Sequence, residues 1–134
     1  MLAHADAALI IGDPALLLDS ERLGVLTVDL GHEWRELSGR PFVYAMWCGQ
    51  TGACEPAHVA ALNAARDAGV RDIDAIAREQ GAGDSAREAL VRRYLRDNLR
   101  YDLDATACDG LRLFHELAVE QGLAATLRQV RFFP

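Results

Sequence analysis

The chain has 134 residues, is 51% hydrophobic and 25% charged, and carries a net charge of -6 at pH 7. That length suits one domain with a core of its own, the composition excludes wholesale disorder, and the acidic balance excludes nucleic acid and an anionic membrane surface as primary partners. All 14 basic residues are arginine, which removes Schiff-base lysine chemistry and a P-loop phosphate site but keeps bidentate carboxylate recognition available.

The first predicted element is a buried strand over residues 6–11, a short apolar run bounded by Asp6 and Gly12. It stops at Gly12-Asp13-Pro14. Asp13 then reads as a helix N-cap and Pro14 as the first helical residue, where its missing N–H costs nothing. The helix over residues 14–18 is short. A second strand is predicted over 25–30, and a brief helix over 31–39 with Trp34 and Leu37 on one face. Residues 42–47, Phe-Val-Tyr-Ala-Met-Trp, form the third and most strongly β-leaning run.

After Gly52 the pattern turns helical. Residues 56–68 place Val59, Leu62 and Ala65 on one stripe, with Gly69 as the stop. Residues 71–80 carry Ile73, Ile76 and Ala77. Ser85 and Glu88 make an S-x-x-E capping box for a helix reaching about Leu99. Its other side bears Arg87, Arg92, Arg93, Arg96 and Arg100, read as a solvated face interleaved with Glu88 and Asp97. Asp104 opens the last clear helix, with Leu111, Phe114, Leu117 and Ala118 inward and Gly122 as its end. The expected fold class is therefore α/β: about three strands followed by a helical block, and strands of this kind want further strands beside them.

The chemistry-bearing residues are few. Cys48, Cys54 and Cys108 form no CxxC pair or zinc ladder, and their odd count fits free thiols in a reducing compartment. No secretion signal is visible and the longest apolar runs are too short to span a membrane, so a cytoplasmic location is expected. His4, His32, His58 and His115 lack i, i+4 metal spacing, and no metal site is predicted. Cys48 reads as a packed thiol, and Tyr44 and Trp47 as core aromatics rather than ligand contacts. The Gly12-Asp13-Pro14 turn has two readings: an ordinary strand-to-helix turn, or a strand end where glycine permits close approach and helix N–H groups meet an anion.

A resemblance weighs on that choice. Residues 6–16, 29–34 and 39–47, with Tyr94, the YDLD of residues 101–104 and the final GLRLFHELAVEQGL, are similar to the C-terminal half of the chorismate dehydratases of the futalosine route to menaquinone. The carrying phrases are L-I-I-G-D and W-x-x-L-x-G-x-P-F-V-x-A-x-W. The resemblance implies a type II periplasmic-binding-protein-like fold of two α/β lobes. Residues 1–41 would end the second lobe with a ligand-facing turn, and 42–134 would supply the crossing strand and the helical return to the first lobe. It implies a lyase that removes water from chorismate to give 3-[(1-carboxyvinyl)oxy]benzoate, without metal or organic cofactor. The sister family of dihydroxynaphthoate synthases carries His-Glu where this chain has Gly12 and Asp13, which places the sequence on the dehydratase side.

Members of the dehydratase family are about twice as long, so the expectation includes a missing N-terminal half, with Met1 an internal or artificial start, and self-association of the part that remains. The substrate contacts expected here are Ile11, Gly12 and Asp13, with Asp13 a weak candidate for proton transfer; the partner is a small dicarboxylate. An ionised Asp13 repels a dianion unless its charge is spent on its own helix cap or on a substrate hydroxyl. Two further readings stand beside the lyase: a non-catalytic carboxylate-binding module, and a helical interaction domain.

Overall fold

The computed structural model describes residues 5–126 and 130–133, so His4 and part of the C-terminal tail lie outside the described residues. Two compact units divide the chain, Met1–Gly39 and Arg40–Pro134. The first holds three short helices: α1 (Asp13–Leu16), α2 (Ser20–Leu23) and α3 (Leu30–Ser38). Asp19 caps α2 by accepting the Arg22 N–H at 2.9 Å. Asp29 caps α3 by accepting the N–H groups of Gly31 at 2.8 Å and His32 at 3.3 Å. These aspartates satisfy amides that have no partner within the helix. Trp34 is buried, 8% exposed, whereas Leu37, expected on the same face, is 78% exposed.

The second unit holds α4 (Pro56–Arg71), α5 (Ile73–Gly81), α6 (Ser85–Arg93), a π-helical turn (Tyr94–Asn98) and α7 (Ala105–Glu120). Ile73 and Ala77 of α5 and Ala107 of α7 are buried, Ala77 completely. Small residues set the close approaches. A Cβ on Gly81 would lie 2.8 Å from Glu88 Cβ, and one on Gly110 would lie 2.3 Å from the Pro41 carbonyl oxygen, so α5 meets α6 and α7 meets residue 41 nearly backbone to backbone. Phe42 packs edge-on against Tyr44 and Phe114, with ring centroids 4.9 and 5.0 Å away, a geometry the ring quadrupoles favour. Among the described residues no helix is long and apolar enough to cross a membrane.

The α/β expectation is overturned. Residues 6–11, 25–30 and 42–47 form no strand among the described residues, and with them goes the two-lobed periplasmic-binding-like architecture with its crossing strand. A strand is a rung of a ladder, and an apolar run supplies only the side chains; the hydrogen bonds must come from a neighbour. The second run ends in a helix start: Asp29, itself extended, is the N-cap and Leu30 the first residue of α3. Helix ends moved as well. α4 runs through Gly69 to Arg71, and α6 is capped by Asp84, which accepts from Ala86 and Arg87, rather than by Ser85.

Candidate functional site

The Gly12-Asp13 turn stands where an unhelical segment enters α1. Gly12 is the N-cap, at φ 68° and ψ -152°, a backbone region open essentially to glycine alone. Its carbonyl oxygen accepts the N–H groups of Ala15 at 2.9 Å and Leu16 at 3.1 Å. Asp13 is the first helical residue and not the cap, and no side-chain cap hydrogen bond forms. The expected capping role is therefore corrected by one residue: the turn is closed by glycine geometry and a carbonyl, and the Asp13 carboxylate stands exposed, uncommitted to its own helix.

The same bonds bear on anion binding. Ala15 and Leu16 have spent their N–H groups on Gly12, and Pro14 has none to give. A four-residue helix with these donors occupied does not offer the cradle that an anion needs. What the turn presents is a hydrogen-bond acceptor, Asp13, beside an apolar neighbour, Ile11, which is 75% exposed. These three residues are adjacent along the chain, and no buried polar group gathers beside them: among the described residues no polar or charged side chain is buried.

The other singled-out residues lie elsewhere. Trp47 is 85% and Tyr44 72% exposed, against the expectation of core aromatics, and Phe42 takes the packed position instead. Cys48 and Cys54 are exposed thiols, so the packed Cys48 is corrected too; Cys108 is half-buried and also free. His58 has a local task, its Nδ1 accepting the Glu55 N–H at 3.1 Å at the start of α4. His32 is exposed and His115 half-buried. Among the described residues no group of three His, Cys, Asp or Glu side chains is placed to hold a metal ion.

Two of the five arginines, Arg92 and Arg96, reach across to another helix rather than standing on a merely solvated face. Asp74 of α5 accepts from Arg92 at 2.8 Å and from Arg96 at 2.8 Å, and Arg92 also pairs with Glu88. The Arg92 hydrogen bond holds the Asp74 carboxyl below its usual range. No sequence signal identified Asp74, because partners 18 and 22 residues away have no helical spacing to reveal them. A cavity of about 360 Å³ opens in the same unit between Arg66, Asp67, Val70, Arg71, Tyr101 and Asp102. Arg66 is held there by Asp67 at 2.8 Å and Asp102 at 3.0 Å, and Tyr101 donates to the Leu95 carbonyl at 3.0 Å. Arg66 is thus already committed to two carboxylates.

A family model described as menaquinone biosynthesis matches residues 1–120. No solved structure matches the chain.

Proposed function

The chain belongs to the menaquinone biosynthesis family, and from that premise we propose that it serves the dehydration of chorismate to 3-[(1-carboxyvinyl)oxy]benzoate. The observation that carries this reading is the Gly12-Asp13 turn inside the matched region, whose carboxylate is not consumed by its helix. The reaction is an elimination: a base removes a ring proton, the ring hydroxyl departs as water after protonation, and the ring becomes aromatic. Carbon–oxygen cleavage balanced by proton loss is redox-neutral, so the proposal needs no oxidant. Asp13 accepts a hydrogen bond from a substrate hydroxyl, which removes the conflict between its charge and a dianionic ligand. Ile11 offers an apolar surface to the ring.

A second reading, a carboxylate-binding module without catalysis, is favoured by one observation. No polar or charged side chain among the described residues is fully buried, whereas acid–base pairs work best where solvent is excluded.

The experiment is a direct assay of the folded 134-residue chain with chorismate, following the benzoate ether by chromatography. Product formation, with Asp13→Asn lowering kcat/KM by about tenfold or more, supports the lyase. Chorismate binding by calorimetry without product supports the module. Neither product nor binding removes both. Gly12→His is a poor probe of ligand contact, because any side chain at that φ and ψ strains the turn whatever the site does.

A further inference from the structure

The cavity beside the end of α4 holds more than the Arg66 ion pairs. Its lining, Arg66, Asp67, Val70, Arg71, Tyr101 and Asp102, lies wholly within the second unit. Its volume of about 360 Å³ falls in the range of roughly 300–1,000 Å³ typical of small-molecule sites. Helical spacing explains the α4 contribution: residues 66 and 70, and 67 and 71, stand four apart, so all four side chains share one side of the helix. The chain returns to that side at Tyr101 and Asp102.

Each lining group has a definite state. Arg66 gives Nε and Nη2 to Asp67 Oδ1 at 2.9 and 2.8 Å, and Nη1 to Asp102 Oδ1 at 3.0 Å. The Oδ2 oxygens of both aspartates take no hydrogen bond among the described residues. Arg71 is exposed and makes no ion pair among them. Tyr101 is pinned by its bond to the Leu95 carbonyl, and it and Val70 remain 38% and 43% exposed.

Charge selects the ligand. Two guanidinium groups and two carboxylates in the lining sum to zero. A simple anion on Arg71 would meet the two carboxylates, and a simple cation on the carboxylates would meet Arg71. A zwitterion meets neither conflict: its carboxylate takes the Arg71 fork while its ammonium donates to an unused Oδ2. Arg66 already holds both aspartates, so less freedom is lost on binding. Val70 and Tyr101 supply apolar surface for the rest of the molecule.

We infer that this cavity binds a free α-amino acid with an apolar side chain: its carboxylate on Arg71, its ammonium on the Asp67–Asp102 pair, its side chain against Val70 and Tyr101. The inference is independent of the reaction proposed above, which uses none of these residues.

Amide chemical shifts of the full chain, followed while phenylalanine is added, test it. The expected result is saturable binding at millimolar concentration, with the shifts concentrated at residues 66–71 and 99–104. Arg71→Gln weakens it by about tenfold or more with circular dichroism unchanged. Arg78→Gln, at an exposed α5 position outside the cavity, leaves it as it was. Hydrocinnamate, which lacks the ammonium, and phenethylamine, which lacks the carboxylate, each bind about tenfold or more weakly than phenylalanine. Absence of saturable binding overturns the proposal. So does binding that Arg71→Gln leaves intact, or hydrocinnamate binding as tightly as phenylalanine.

Discussion

Single aspartates carry much of the local structure. Asp19, Asp29, Asp84 and Asp104 each accept backbone N–H groups at a helix start, and Asp84→Ala is expected to cost about 1 kcal/mol, read as lost helical signal and a lower midpoint in urea. Hydrogen bonding from the Ala107 amide lowers the Asp104 carboxyl from its ordinary value, and the Arg92 bond lowers Asp74. The folded state therefore binds these protons less tightly than the unfolded chain. Their contribution is complete above the ordinary carboxylate range near pH 4 and is lost as pH falls through the lowered values. Tyr101 titrates with the opposite sense: burial, then the neighbouring Tyr94, raises its phenol. Its contribution is complete below about pH 10 and is lost as pH rises through the raised value. Urea melts across both limbs check the signs, and Asp74→Asn should flatten the acid limb. Asp104 was legible as a cap because nothing competes with it. Asp84 was hidden by Ser85, which offers an equally good signature one residue later.

At the scale of elements, the helices of the second unit were readable and the strands were not, for one reason. A helix closes its hydrogen bonds within its own residues, so caps and periodicity are nearly sufficient to place it. A strand borrows its partners, and an apolar run such as residues 42–47 states only that something should cover it. The contact of α5 with α6 was equally invisible, since it is made by the absence of a side chain at Gly81. Gly81→Ala forces a Cβ to within 2.8 Å of Glu88 Cβ, and a loss of about 1–3 kcal/mol is expected. Gly110→Ala meets the Pro41 carbonyl at 2.3 Å, an atom that cannot rotate away, and should cost more. Chemical denaturation of both variants, compared at equal m-value, measures the difference.

At the scale of the whole molecule, each of the two units, Met1–Gly39 and Arg40–Pro134, stands by itself. The residues of the candidate turn were visible in the sequence, but the way the turn closes was not. Which group caps a four-residue helix depends on the left-handed backbone of Gly12, and no residue-type pattern reports whether the carboxylate or the carbonyl takes the amides.

The meagre burial around Trp34 also has a calorimetric consequence. Heat capacity rises on unfolding in proportion to the apolar surface newly exposed to water, about 0.45 cal/mol/K per Å². Residues already in contact with water add nothing to it. In the isolated chain, melting of Met1–Gly39 should pass as a shallow slope without a peak of its own. The endotherm in a calorimetric scan should then belong to Arg40–Pro134, with the heat capacity increment of a domain of that smaller size.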